Sequence, residues 1–192
     1  METMMQEVAV NPTMETIYQR RAVRKYKDQP VDPSLMEQII SAGRMAPTVM
    51  NRQEWKFYVL MGKKAIASLS PGIVKVASKV LNWAHGADPA TAGDIIFHGA
   101  PAVIFITGPA RSEWAAMDIG MCSQNIMLAA KSLGLDTCPI GLVKFLEKTD
   151  KFASLGIPKS EHIYLAIIVG YGDEQPEVHE RKKDNIKFLT IK

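Results

Sequence analysis

A long helical pattern lies between two short apolar segments in the second half of the chain. The segments are PAVIFITG, which begins at Pro101, and HIYLAIIVG, which begins at His162. Each is almost wholly apolar, as a strand buried on both faces would be. Between them, Ser112 can cap a helix whose apolar residues recur every three or four positions, at Ile119, Cys122, Ile126, Ala129 and Leu133. Gly134 then suits a left-handed helix end.

The rest of the chain mixes helices and strands irregularly. The sequence predicts a helix from Thr13 to Arg20 or Arg21, and a second from Asp32-Pro33 to just before Pro47. Further elements follow: a strand over 55–61, helical structure over 63–83 with a break at 71–72, a loop or strand over 137–141, and a short helix over 147–155. No steady strand–helix–strand rhythm is present, so the predicted fold class is α+β.

One domain over 1–192 fits this length, with 1–12 as a loose N-terminus and 176–192 as a C-terminal extension. The extension ends in the strand-like KFLTIK, which follows the basic run HERKKDN. Two alternatives are open for this tail. It can pair with another subunit, as unpaired strands readily do, or it can return to its own sheet.

Composition excludes several classes of protein. A formal net charge of +3 is too small for a general nucleic-acid binder, so any anion site must be local. Cys122 and Cys138 show no CxxC spacing, which indicates a reducing, cytoplasmic compartment. The opening METMMQEVAV lacks the pattern of a signal peptide, and the apolar run over 102–107 is far shorter than the ~20 residues of a membrane span. We expect a soluble protein with neither nucleic-acid nor membrane partners.

Other chemical motifs have little support. Gly170-Tyr171-Gly172 follows a strand, as a dinucleotide-binding fingerprint would, but Gln175 replaces the third glycine and Pro176 opposes the required helix. The histidines lack ligand spacing, so no metal site is predicted; they are His85, His98, His162 and His179. No serine lies in a nucleophile-elbow context, and no catalytic side chain is predicted.

A basic segment, QRRAVRKYKDQPV, spans residues 19–31. It places five cationic side chains around a single aromatic residue, Tyr26; they are Arg20, Arg21, Arg24, Lys25 and Lys27. Such a run can be a solvated surface. It can equally hold an anion, because guanidinium groups donate two parallel hydrogen bonds to a phosphate.

Five segments in order along the chain carry a resemblance. They are RRAVRKY with DQPV, APTVMNRQEWKF, GAPAVIFI, DIGMCSQNIMLAAKSLGLDTCPIGL and VGYGDEQPEVHERKKDN, and they cover residues 14–188. This ordered set resembles the nitroreductase family of FMN-dependent NAD(P)H oxidoreductases. The resemblance implies a central, mostly antiparallel sheet flanked by helices, in an intertwined homodimer whose C-terminal tail reaches the partner.

The resemblance also implies the residues that bind FMN. Arg20, Arg21 and Arg24 match the family's opening cations, which reach the phosphate or the pyrimidine edge, and Arg181 and Lys183 match a late basic pair at the same phosphate. The loop that lines the flavin, contributed across the dimer interface, is matched by Pro47, Thr48, Val49, Asn51 and Gln53. The segment beside the flavin N5 is matched by Pro139, Ile140 and Gly141. The alternatives are a solvated basic run, an ordinary turn at Asn51 and a plain strand-end turn after Cys138.

Some positions depart from the family pattern. Ala22 and Thr48 stand where the family usually has Ser, and Glu54 replaces a Pro. An acid there is unfavourable near an anionic cofactor unless it points away or pairs with a base. The variable region over 69–92, which shapes the substrate pocket in this family, carries Trp83 and His85, and neither is assigned a role.

The implied reaction is a two-step, ping-pong transfer of electrons from NAD(P)H through FMN to a nitroaromatic, quinone or similar small acceptor. The cofactor supplies the redox chemistry, while the protein binds and orients it. The alternative is a non-catalytic flavin-binding sensor or carrier, which would keep the cofactor site without a nicotinamide pocket.

Overall fold

An antiparallel sheet lies at the centre of the structure. The computed structural model describes residues 11–81, 94–182 and 184–190 of the chain. The strands are β1 (Lys56–Met61), β2 (Ala102–Pro109), β3 (Asp136–Ile140) and β4 (Glu161–Gly170), and their order across the sheet is β1-β2-β4-β3. The predicted α+β class and antiparallel sheet are confirmed, and the segment 137–141 is largely a strand.

Helices cover both faces of this sheet. They are α1 (Pro12–Gln19), α2 (Pro33–Arg44), α3 (Lys63–Ala67), α4 (Ser70–Leu81) and α5 (Ala115–Ser132). Shorter 3₁₀ segments span Val49–Asn51, Gly141–Lys148 and Phe152–Leu155. Among the described helices, none combines the length and apolarity that crossing a bilayer requires.

Strand β2 divides the core into two halves. Val103 and Phe105 pack on the face covered by α4 and by the Gly141–Lys148 segment, which we call the α4 face. Ile104 and Ile106 pack on the opposite face, against α2 and α5, which we call the α5 face. Because β2 is buried on both faces, its sequence is a continuous apolar run, as predicted.

Local signals account for the best-predicted helix ends. The Asp32 side chain accepts a hydrogen bond from the Ser34 N–H (2.8 Å), and Pro33 follows at the first helical position of α2. The Ser112 hydroxyl accepts a hydrogen bond from the Ala115 N–H (3.2 Å) at the start of α5. At its end, Gly134 adopts φ 77°. These three predicted boundaries are confirmed within a few residues.

Other boundaries differ from the prediction. Helix α1 begins at Pro12, because the Asn11 side chain, rather than Thr13, accepts the capping hydrogen bond from the Met14 N–H (3.0 Å). Pro71 does not break a helix but lies in the first turn of α4, where a missing N–H is tolerated. The predicted helix over 147–155 is instead the end of one 3₁₀ segment and all of the next.

Over the residues that the structure describes, the C-terminal tail does not join the sheet of its own chain. Residues 184–190 form no helix or strand, and Phe188 and Leu189 are 96% and 89% exposed. The alternative that the tail returns to its own sheet is therefore wrong over these described residues. Trp83, His85 and Lys183 lie outside the described residues, as do residues 1–10.

Candidate functional site

The basic segment runs in an extended path beside β3 and the end of β4. Its backbone is held at several points: the Val23 N–H donates to the Thr137 carbonyl (3.1 Å), and the Lys27 N–H donates to the Tyr171 carbonyl (2.9 Å). In return, the Asp173 N–H donates to the Lys25 carbonyl (2.9 Å). The cations are thus fixed against the sheet rather than carried on a free loop.

Two of the arginines affect the electrostatics of Cys138, the first residue of the segment CPIG. Burial raises the pKa of the Cys138 thiol, and the positive charges of Arg24 and Arg20 counter that effect. Both guanidinium groups therefore lie within electrostatic reach of Cys138, whose side chain is on the α4 face. Arg20 is half-buried and Arg24 is exposed.

Arg21 is turned away from this pair. Its guanidinium donates to the backbone carbonyls of Tyr18 (2.6 Å) and Arg20 (2.8 Å), which is a favourable place for a cation at the end of α1. The structure therefore places Arg20 and Arg24 within electrostatic reach of the same thiol and gives Arg21 partners in the backbone.

A cavity of about 730 Å³ adjoins Arg21. Cations and acids are balanced along its wall: Arg21, Lys27 and Lys131 face Asp136, Asp173 and Glu174. Lys131 and Asp136 already pair with each other at 3.0 Å. This cavity therefore suits a phosphate dianion less well than the neighbourhood of Arg20 and Arg24.

The segment after Cys138 is exposed to solvent at two positions. Ile140 is buried in the core of the α4 face, whereas Pro139 and Gly141 are exposed. A Cβ added at Gly141 would meet nothing within 4 Å. Cys138 is 1% exposed and serves as a small buried residue, as predicted from sequence. A flat ligand can approach the backbone of this segment closely.

Arg20 and Arg24 differ from Arg21 because their guanidinium groups have no acceptor among the described residues. In the described part of the chain, the side chains of Arg20 and Arg24 make no ion pair and no hydrogen bond. The nearby carboxylate of Glu174 accepts from the backbone N–H of Arg24. A phosphate dianion would supply the acceptors that both guanidinium groups lack, so the residues present fit an anionic cofactor.

The loop over 47–53 is unusual in its backbone. Met50, Asn51 and Gln53 have φ of 52°, 54° and 50°, in the left-handed region that non-glycine residues seldom adopt. The Gln53 side chain donates to the Asn51 side chain (2.9 Å). Pro47, Asn51 and Gln53 are exposed, while Thr48 and Val49 are half-buried. Such conformations persist where the surroundings enforce them.

A buried carboxylate anchors this loop. Asp118, on α5, is 4% exposed and accepts a hydrogen bond from the Val49 N–H (3.3 Å). Sequence reasoning missed Asp118, because the residue is 69 positions away from its partner. Its one sequence signal is an acid in the first turn of a helix with an apolar face.

The loop and the segment CPIG adjoin opposite edges of the sheet. The loop precedes β1, which is one edge of the sheet, while Gly141 follows β3, which is the other edge. Three inter-strand spacings separate these edges, about 14 Å in all. The predicted late cation Arg181 is exposed in a segment without helix or strand.

The glycines of Gly170-Tyr171-Gly172 have packing roles. A Cβ on Gly170 would lie 2.7 Å from the Tyr26 ring and 2.8 Å from Pro101. A Cβ on Gly172 would lie 2.5 Å from the Asp136 carboxylate. Close approach of side chains explains this motif without a bound dinucleotide.

Comparison with protein families identifies the fold. The family model described as the nitroreductase family matches residues 17–171. The chain belongs to the nitroreductase family. A nitroreductase with bound FMN from Bacteroides fragilis shares this fold with a TM-score of 0.80, at 24% identity, over 94% of this chain and 100% of that one. A nitroreductase with bound FMN from Desulfitobacterium hafniense is 25% identical and gives a TM-score of 0.79, over 94% of this chain and 100% of that one.

Curated relatives in this family include named enzymes. The chain is 28% identical to a 4-nitrobenzoate reductase of Pseudomonas putida, over 83% of this chain and 85% of the relative. It is 23% identical to a putative NADH dehydrogenase/NAD(P)H nitroreductase of Archaeoglobus fulgidus, over 87% of this chain and 89% of the relative. The family predicted from sequence is therefore confirmed. The family match ends before Arg181, so that residue and Lys183 depend on the similarity of HERKKDN alone.

Proposed function

We propose that this nitroreductase-family chain is an FMN-dependent NAD(P)H oxidoreductase. The observation that carries the proposal is the pair Arg20 and Arg24, which lies beside Cys138 with no acceptor for either guanidinium group in the described residues. The exposed backbone at Gly141 follows Cys138 by three residues. A ligand with a phosphate at one end and a flat ring at the other matches both features.

The residue roles follow from the chemistry of each group. Arg20 and Arg24 bind the phosphate or the pyrimidine edge of FMN, and Arg21 supports them by fixing the end of α1. The exposed backbone over 139–141 contacts the ring near N5. The loop residues Pro47, Thr48, Val49, Asn51 and Gln53 line the flavin, with Arg181 and Lys183 as further phosphate ligands.

When bound, FMN would accept a hydride from NAD(P)H at N5 and pass electrons to an acceptor in a ping-pong cycle. The protein's own part is to hold cations beside the ring and phosphate, where negative charge is stabilised electrostatically. Relatives named for 4-nitrobenzoate, nitrobenzene and chloronitrobenzene favour a nitroaromatic or similar small acceptor, such as a quinone.

The proposed assembly is a homodimer. Helix α5 is buried on one side, yet Met117 in its first turn and Trp114 just before it are 49% and 47% exposed. Met45 and Met50, 79% and 82% exposed, come from the segment between α2 and β1. Exposed apolar groups of this kind favour association. A second copy would also bring its 47–53 loop to the flavin, as the family resemblance implies, and would offer a partner for the tail over 184–190.

The visible spectrum of the purified protein tests the enzyme proposal. We expect flavin absorbance, and anaerobic addition of NADH or NADPH should bleach it within the turnover time. Flavin absorbance that neither nucleotide bleaches would support the carrier alternative. A colourless protein that takes up no added FMN would overturn both.

Sedimentation of the purified protein tests the dimer. We expect twice the mass of the chain, and the double variant Trp114→Lys, Met117→Lys should shift it toward the monomer. An unchanged mass for that variant would place the interface elsewhere.

A further inference from the structure

Hydrogen bonds within the loop over 47–53 bring its far end back to its start. The Asn51 N–H donates to the Thr48 carbonyl (3.0 Å), and the Gln53 N–H donates to the Thr48 hydroxyl (3.2 Å). Thr48 therefore receives two hydrogen bonds from the end of the loop. The places of Asn51 and Gln53 depend on where Thr48 and the next residue, Val49, are held.

Asp118 attaches this loop to the rest of the protein. Its carboxylate is buried, at 4% exposure, and accepts a hydrogen bond from the Val49 N–H (3.3 Å). Among the hydrogen bonds that the described residues make, this one ties 47–53 to another part of the chain. Because α5 is an 18-residue helix with one side buried against the sheet, the carboxylate is a rigid point of attachment.

The backbone of the loop needs such an attachment. Met50, Asn51 and Gln53 all have φ in the left-handed region, which is unfavourable for residues with a Cβ. Conformations of this kind persist only where the surrounding structure enforces them. A loop released from Asp118 would therefore sample other conformations, and the side chains of Asn51 and Gln53 would no longer have fixed positions.

We propose that Asp118 is a positioning residue of the flavin site, whose hydrogen bond to Val49 holds the loop over 47–53 ready for FMN before the cofactor binds. This inference rests on the proposed function, in which that loop lines the flavin. A loop that is already ordered loses less conformational entropy when a ligand binds, so affinity is higher. Asp118 acts through the backbone of the loop.

The proposed role requires an acceptor oxygen, not a negative charge. The side-chain amide of Asn carries a carbonyl oxygen at the same position as one carboxylate oxygen, so it can accept the same hydrogen bond from Val49. Ala offers no acceptor, and it leaves the Val49 N–H without its partner. Asp118→Asn should therefore retain the function that Asp118→Ala loses.

These two variants are compared with a control on the same helix. Ile126 is buried in α5 and lies against Gly43, so Ile126→Val lowers stability without removing the attachment of the loop. Three measurements are made on the full chain: the Kd for FMN by flavin fluorescence, the visible circular dichroism of bound FMN, and hydrogen exchange of the Val49 amide in apo-protein by NMR. Sedimentation reports the mass of each variant.

We expect Asp118→Ala to raise the Kd for FMN by about 5- to 50-fold, as the loss of one hydrogen bond to a buried acceptor would. The same variant should change the dichroism of the bound flavin and speed exchange at Val49. Asp118→Asn should resemble the wild type in all three measurements. Ile126→Val should unfold at a lower urea concentration, yet keep the wild-type Kd and dichroism.

Several results would overturn the inference while the proposed function stands. One is a wild-type Val49 amide that exchanges as fast as an unprotected amide, which requires no variant. Another is faster exchange in Asp118→Ala with an unchanged Kd. A loss of affinity that Asp118→Asn or Ile126→Val shares, or that occurs only with a loss of dimer mass, would assign the effect to charge, stability or assembly instead. If wild-type protein takes up no FMN, both the inference and the proposed function are wrong.

Discussion

Two charged clusters in this molecule differ in how their charges are satisfied. At one end of the sheet, the side chain of Glu161 is 8% exposed and accepts hydrogen bonds from Lys56 (2.6 Å), Thr107 (2.6 Å) and Tyr58 (3.0 Å). Beside Cys138, Arg20 and Arg24 are fixed through the backbone of their segment, yet among the described residues no carboxylate pairs with either guanidinium. The first cluster is satisfied within the chain, whereas the second has cations without an acceptor among the described residues.

Charged groups that stabilise the fold have their partners within the chain, whereas charged groups that bind a ligand have partners left to gain. A buried carboxylate with three donors stabilises the fold, because removing any partner leaves a polar group unsatisfied. Neighbouring cations without an acceptor repel each other, so a ligand that supplies negative charge would stabilise them. If the two clusters are independent, a substitution in one should leave the property that depends on the other unchanged.

The largest expected effect is on cofactor affinity. Arg20→Ala or Arg24→Ala should raise the Kd for FMN by about 10- to 100-fold, because each removes a charge-assisted hydrogen bond to the ligand. Fluorescence titration of FMN into the apo-protein measures this change. Arg111→Ala, at an exposed position, is the control and should bind FMN like the wild type.

Arg181→Ala tests the late basic pair in the same assay. A loss of affinity similar to that of Arg20→Ala would support a phosphate site built from both ends of the chain. Full affinity in this variant would remove Arg181 from the site and leave Arg20 and Arg24 in place.

The second effect concerns the free energy of unfolding. Glu161→Gln should lower the free energy of unfolding by about 1–3 kcal/mol, because the donors of Lys56, Thr107 and Tyr58 lose a charged acceptor. Urea denaturation monitors the change, and Glu113→Gln, at an exposed position, is the matched control. A large loss of FMN affinity in Glu161→Gln would contradict the separation of the two clusters.

The same carboxylate predicts acid sensitivity. Burial alone would raise the pKa of Glu161, but hydrogen bonds from Lys56, Thr107 and Tyr58 outweigh it and hold the pKa below the usual 4.5. A lowered pKa in the folded state stabilises the fold above 4.5, and that contribution is lost as the pH falls through the lowered value. Thermal unfolding between pH 3 and 6 should therefore depend less on pH in Glu161→Gln.

The third prediction concerns the packing of the basic segment against the sheet. Gly170→Ala should destabilise the protein by about 1–3 kcal/mol, because its Cβ would overlap the Tyr26 ring and Pro101. Gly120→Ala, on α5 where a Cβ meets nothing within 4 Å, should instead be neutral or stabilising. Equal stability of Gly170→Ala and the wild type in urea would show that Tyr26 can move aside.

The smallest expected effect on stability is at Gly141, which is exposed. Gly141→Ala should leave the free energy of unfolding within about 0.5 kcal/mol, since nothing lies within 4 Å of the added Cβ. It should still weaken FMN binding a few-fold if the flavin ring lies close to this backbone. Unchanged affinity would move the ring away from Gly141.

Local chemistry made much of the fold predictable. Asp32-Pro33 and Gly134 act through their own neighbours, so helix ends could be predicted from a few residues. The apolar runs of β2 and β4 are continuous because both faces are buried. The ordered motifs also predicted the family correctly.

Long-range contacts were not predictable from sequence. Whether Arg21 faces a ligand or the end of α1 depends on the path of the backbone. The contact of Asp118 with Val49 joins two distant segments. The binding roles assigned from the resemblance, Asn51 and Arg181 among them, remain predictions.

The path of residues 20–27 has a consequence beyond ligand binding. This segment runs beside the outer strand β3, bridging it at Ala22 and Thr137. An outer strand left bare recruits strands from other molecules. If residues 20–27 detach from β3 in protein that lacks its ligand, the exposed strand can pair with strands of other molecules. Protein with less bound cofactor should therefore aggregate more during storage.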